Sequence, residues 1–76
     1  MSAKEMFENL GYKVYLRKSN KEFLCYRWLE TEVYIRFNLI DKMILKYHSC
    51  SDNARAISID ELQAINKQIE ELGWNK

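Results

Sequence analysis

Seventy-six residues, 47% hydrophobic and 30% charged, leave room for one compact unit: the chain is too apolar for a disordered tail and too evenly polar for a membrane protein. With no proline and two glycines, Gly11 and Gly73, counting alone excludes flexible linkers, collagen-like segments and Gly-rich phosphate loops. A chain this short buries only about 60% of the surface its unfolded form exposes, so a roomy enzymatic pocket within one copy is not expected.

The formal net charge of +1 gives the whole molecule no strong preference for nucleic acid or acidic lipid. The distribution is less even: between Tyr12 and His48 eight basic residues stand against four acids, and both flanking stretches are slightly acidic. The opening MSAKEMFENL lacks a basic segment followed by an apolar run, and no run of about 18 apolar residues occurs anywhere, so neither export nor membrane spanning is expected. Cys25 and Cys50 are then read as free thiols in a reducing cytoplasm, and stability must come from packing.

Ser2-Ala3-Lys4-Glu5 has the form of a capping box, and Met6, Phe7 and Leu10 make one apolar face of a short helix ending at Gly11. From Tyr12 the period becomes alternating, with Tyr12, Val14 and Leu16 on one side and Lys13, Tyr15 and Arg17 on the other. After the polar turn Lys18–Lys21, the run Glu22–Leu29 is nearly continuous in apolar residues; Leu24, Tyr26 and Trp28, or Phe23, Cys25 and Leu29, could equally face inward. Thr31–Leu39 is the clearest strand, with Val33, Ile35, Phe37 and Leu39 on its apolar face. A tight connection at Asp41-Lys42 leads to a fourth strand in which Met43, Leu45 and Tyr47, taken as the inner set, alternate with Ile44, Lys46 and His48.

Beyond a polar loop at Ser51–Arg55, Ser58-Ile59-Asp60-Glu61 repeats the capping box, with Ile57 and Leu62 placed as a hydrophobic staple. Leu62, Ile65, Ile69 and Leu72 form the apolar stripe of a longer helix, which Gly73 ends. Trp74 is placed to fold back on its last turn, where burying the ring contributes about 2–3 kcal/mol. Short polar connections imply an antiparallel meander. The expectation is a single α+β domain over residues 1–76, ordered α-β-β-β-β-α, with both helices packed on one face of a four-stranded sheet.

Chemistry-bearing constellations are few. His48 and Cys50 point the same way on an extended strand, but no orienting group or oxyanion donor accompanies them, so an ordinary strand-end thiol is the reading. Cys25, His48 and Cys50 lack metal-ligand spacing, and the adjacent pairs Asp60-Glu61 and Glu70-Glu71 diverge around a helix by about 100°. No catalytic residue, metal or cofactor is expected. The sheet face away from the helices is the stronger signal. It collects Lys13, Tyr15, Arg17, Tyr34, Arg36, Lys46 and His48, with Arg27 joining if Phe23 and Cys25 point outward. Cations interleaved with rings suit either a protein interface, where Tyr and Arg are natural anchors, or a single-strand nucleic-acid surface. The nearest segment to an RNP1 motif, Val33–Phe37, lacks its glycine.

Met6-Phe7-Glu8-Asn9-Leu10-Gly11-Tyr12 and the stretch from Glu61 to Trp74, ELQAINKQIEELGW, resemble the two ends of small phage and prophage proteins of Gram-positive bacteria, which join an MFExLGY-type opening to a strand-rich middle and a helix ending in ELGW. The matches cover about 21 of 76 residues, and the Ser51–Arg55 loop is longer than is usual there. The resemblance implies a bacterial cytoplasm and a phage accessory role, and it assigns no functional residue. The expected function is therefore non-enzymatic: binding a host or phage protein through the open sheet face, or as a homodimer. A small nucleic-acid-binding domain using the same face is the alternative.

Overall fold

The computed structural model describes residues 1–49 and 55–74. Both capping boxes form. At α1 (Ala3–Asn9) the Ser2 hydroxyl accepts from the Glu5 amide at 3.2 Å and the Glu5 carboxylate accepts from the Ser2 amide at 3.0 Å. At α2 (Ile59–Leu72) Ser58 and Glu61 do the same at 3.1 and 2.9 Å. Each box satisfies amides that a helix start leaves without partners. Gly73 ends α2 in the left-handed region at φ 75°, and the Trp74 amide reaches back to the Ile69 carbonyl at 3.1 Å. The Trp74 ring then packs against the core 6.3 Å from Phe37, the fold-back expected of it.

Four strands, β1 (Tyr12–Val14), β2 (Phe23–Trp28), β3 (Val33–Asn38) and β4 (Met43–His48), form one antiparallel sheet in the order β1-β2-β3-β4, so the expected α-β-β-β-β-α meander is the observed fold. The core lies between the helices and one sheet face. Phe7, Tyr12, Tyr26, Ile35, Phe37, Ala64 and Ile65 are buried there, with Val14, Leu24, Leu39 and Ile44 packed around them. The open register of β2 is thereby decided: Leu24 and Tyr26 face the helices, and Phe23 and Cys25 face away. The Tyr26 hydroxyl keeps a partner inside the core, donating to Gln68 Oε1 at 2.7 Å.

Three expectations are corrected. The alternation after Tyr12 does not continue to Arg17; β1 stops at Val14, and Leu16–Lys18 closes a 3-10 turn that leaves Leu16 81% exposed. In β4 the facing is reversed. Antiparallel partners share a face, and Ile35 and Phe37 lie opposite Lys46 and Ile44, so Ile44, Lys46 and His48 point toward the helices while Met43, Leu45 and Tyr47 point away. The inner face of α2 is also rotated: Ala64 and Gln68 are buried beside Ile65, whereas Leu62 and Ile57, the expected staple, are 43% and 45% exposed.

Gly11 holds the joint between α1 and β1. Its φ is +97°, its amide donates to the Glu8 carbonyl and its carbonyl accepts from Leu29. A β-carbon there would stand 3.1 Å from Trp28 Nε1 and 3.2 Å from Leu29 Cδ2, whereas one on Gly73 would meet nothing within 4 Å. Left-handed strain alone costs about 1–2 kcal/mol at either site. Gly11→Ala, which adds crowding, is expected to lower the urea midpoint more than Gly73→Ala. Equal midpoints would show that the Trp28 and Leu29 side chains yield freely.

Candidate functional site

The sheet register lays the face away from the helices out in rows. One row runs Lys13, Arg27, Tyr34, Tyr47; the next holds Cys25, Arg36 and Leu45; the third holds Phe23, Asn38 and Met43. Tyr15 follows β1 and donates its amide to the Cys25 carbonyl at 2.8 Å. Tyr15, Tyr34 and Tyr47 form a continuous ring ladder, with centroids 5.6 and 5.3 Å apart. Above it the 3-10 turn folds Lys18 onto the face, placing Nζ 4.1 Å from the Tyr34 centroid and 5.7 Å from that of Tyr47. Arg27 lies 5.1 Å from the Tyr15 ring, and Arg36 lies between Phe23 at 4.8 Å and Tyr47 at 5.4 Å. At these distances each cation is held by the ring quadrupole, with its aliphatic stem covering apolar surface.

This side is therefore a second small core as well as a surface. Tyr34 is 2% exposed and Cys25 is fully buried. Burial pushes the Cys25 thiol up from its ordinary value, against the charges of Lys18 and Arg36, which leaves it little nucleophilic character. Burial and a 3.1 Å hydrogen bond to Glu32 push the Tyr34 phenol up to about 12. The Glu32 carboxyl is held below its usual range by hydrogen bonds from Ser49 and Tyr34. Arg27 is anchored as well, donating from Nε to the Thr31 carbonyl at 2.8 Å.

Arg36 differs from its neighbours. Its Nε is buried and has no hydrogen-bond partner, and no ion pair involves it among the described residues. Around it, Met43 and Leu45 are 55% and 41% exposed on the outermost strand.

Of the residues singled out in the sequence, Tyr15, Arg27, Tyr34 and Arg36 come together on this face, and Lys13 shares it. Arg17 is exposed on the 3-10 turn. Lys46 and His48 are misplaced: they belong to the helix side, because the β3–β4 register turns them there. Sequence reasoning missed Lys18, Phe23, Tyr47, Met43 and Leu45. The hairpin register would have exposed Tyr47 and its two apolar neighbours; nothing in a polar turn announces that Lys18 folds over a ring. Cys50, set beside His48 on the sequence alone, and residues 51–54 of the polar loop lie outside the described residues.

On the helix side Lys46 is a structural cation. Its Nζ donates to both Glu61 carboxylate oxygens at 2.8 and 3.0 Å and to the Ala56 carbonyl at 2.8 Å, while the Tyr12 hydroxyl donates to Glu61 Oε2 at 2.6 Å. Tyr12, Lys46 and Glu61 line a hollow of about 230 Å3 with Trp28, Val33 and Arg55. Burial acts to raise the Glu61 carboxyl, but hydrogen bonds from Lys46, Tyr12 and the Ser58 amide prevail and hold it below its usual range. Lys46, Glu61 and Tyr12 thus satisfy one another, whereas Arg36 on the opposite face has capacity left over.

No family model, curated protein or solved structure matches the chain. No helix among the described residues is long and apolar enough to cross a membrane.

Proposed function

We propose that the chain is a phage or prophage accessory protein of the bacterial cytoplasm that acts without catalysis, by holding an acidic, partly apolar segment of a host or phage protein on its open sheet face. Arg36 carries this reading. Its guanidinium is packed between two rings, its Nε has lost water without gaining an acceptor, and exposed Leu45 and Met43 lie beside it. A buried donor without an acceptor costs about 1–3 kcal/mol, which a partner's carboxylate that displaces the side chains covering Arg36 would recover through a charge-assisted bond. Lys13, Lys18 and Arg27 supply the surrounding positive field, and Leu45 and Met43 the apolar contact. The phage setting is supported by the resemblance of the two chain ends.

A base-stacking role is disfavoured by the same geometry. Lys18 covers Tyr34, Arg27 covers Tyr15, and Lys18 and Arg36 flank Tyr47, so the rings of the ladder already have cations over them. Single-strand binders need free ring faces.

The test is a pull-down from nuclease-treated Gram-positive lysate, with and without phage infection, using wild type and Arg36→Gln side by side, together with a salt titration against a single-stranded oligonucleotide. A specific protein retained by wild type and lost with Arg36→Gln is the expected result. Retention indifferent to Arg36→Gln would overturn the reading. So would tight oligonucleotide binding whose log affinity falls with log salt by about 0.7 per phosphate contact.

A further inference from the structure

β4 is an outer strand of the sheet. The Ser49 amide donates to the Glu32 carbonyl at 3.0 Å, which continues the β3–β4 ladder by one pair. Bonding residues alternate along an antiparallel ladder, so Met43, Leu45 and Tyr47 turn their amides and carbonyls toward β3, and Ile44 and Lys46 turn theirs away from the sheet. Among the described residues no strand lies on that side. The other edge, β1, is only three residues long, whereas β4 is a six-residue strand with no proline. Its one cation, Lys46, is turned toward the helices, where Glu61 already holds it at 2.8 Å, so among the described residues no unpaired charge or proline of β4 stands against pairing along this edge.

We infer that β4 pairs antiparallel with β4 of a second copy of this chain, about a two-fold axis at Leu45, joining two sheets into one of twice the width. In that register Leu45 lies opposite Leu45 and Met43 opposite Tyr47 on the open face, while Ile44 lies opposite Lys46 on the helix face and each such pair exchanges both backbone bonds. The exposed apolar row, Met43 at 55% and Leu45 at 41%, is thus matched by itself. The neighbouring registers are worse. An axis at Lys46 sets that residue against itself, and one at Ile44 sets Lys46 against Lys42, whose φ of 56° already leaves the strand. A face-to-face dimer would press Lys18, Arg27 and Arg36 against their own copies. Charge and pattern together favour edge pairing, and they favour a second copy over a foreign strand.

Sedimentation equilibrium of the wild-type chain should show a concentration-dependent monomer–dimer equilibrium, and Leu45→Lys should shift it to monomer with unchanged circular dichroism. Leu45 is exposed, so cysteine is tolerated there. In a Cys50→Ser background, with Cys25 fully buried, Leu45→Cys should form a disulfide-linked dimer on the order of tenfold faster than Met43→Cys, because like residues at the axis fall within disulfide reach and Met43 does not meet its own copy. A wild type that stays monomeric throughout, or Met43→Cys linking as fast as Leu45→Cys, would overturn the inference, as would a monomer that captures only a foreign strand. Arg36→Gln should leave the dimer intact, so failure here and failure of the partner-binding proposal can be told apart.

Discussion

Phe7→Ala is expected to bring the protein to the edge of unfolding. Phe7 is fully buried, stacks on Tyr26 with centroids 4.0 Å apart, and meets Tyr12 and Phe37 edge-on at 5.8 and 6.1 Å. Deleting a buried phenylalanine costs about 3–5 kcal/mol, and here a ring contacting three others is lost as well. A chain of this size has a total stability of roughly 4–11 kcal/mol at the usual 0.05–0.15 kcal/mol per residue. The loss also spreads through α1. A seven-residue helix is not stable in isolation, so α1 exists because Phe7 and Ala3 are docked and because the Ala3 amide donates to Glu71 Oε2 at 2.8 Å. Phe7→Leu, which keeps most of the volume, should cost roughly 1.5 kcal/mol. Urea unfolding followed by far-ultraviolet circular dichroism separates the cases. A Phe7→Ala midpoint close to that of Phe7→Leu would mean that the ring stack contributes little beyond its volume.

The two chain ends were the most legible parts of the sequence, and the reason is local. Ser2 and Glu5, Ser58 and Glu61, Gly11 and Gly73 act on amides and carbonyls within a few residues of themselves, so their meaning can be read without the rest of the fold. Strand order followed from connections too short to cross over. What the sequence could not carry was facing. In β4 three apolar residues stand on one side and one on the other, yet the side with Ile44, Lys46 and His48 turns inward, because the hairpin sets Asn38 opposite Met43 and every later pair inherits that register. Lys46 is acceptable there only because Glu61, fifteen residues away, receives it. The apolar residues left outside are not wasted: Tyr47 completes the ladder with Tyr34 and Tyr15, and Phe23 shields Arg36. The open face was thus legible as a mixture of cations and rings, while the stacking of one upon the other needed the turn at Leu16–Lys18 to be known.

Glu61→Ala is expected to be the costliest polar substitution. One carboxylate closes the capping box of α2, accepts from Tyr12 at 2.6 Å and holds Lys46 at 2.8 and 3.0 Å, so its loss strips one helix cap, a phenol and an ammonium of their partner at once. The Lys46 side chain is only 15% exposed, and an unpaired charge left in such a place costs about 3–5 kcal/mol. Removing the cation as well should restore much of this, so Lys46→Met/Glu61→Ala is expected to be more stable than Glu61→Ala alone, a non-additivity that reflects the coupling of the pair. The pH dependence has a definite sign. The native Glu61 carboxyl titrates below its ordinary value of 4.5, so its contribution is complete above that value and is lost as the pH falls through the lower native one. The tyrosines act at the other extreme. Tyr12, Tyr26 and Tyr34 are raised from 10.0, the last two to about 12, so their contribution is complete below 10 and is lost as the pH rises through the native values. The gap between the urea midpoints of wild type and Glu61→Gln should therefore hold steady through neutral pH and narrow below 4.5. A gap that does not narrow with acid would show that the carboxylate charge is not its source, and a gap near zero at neutral pH would place the stabilisation in the cap geometry, which glutamine preserves.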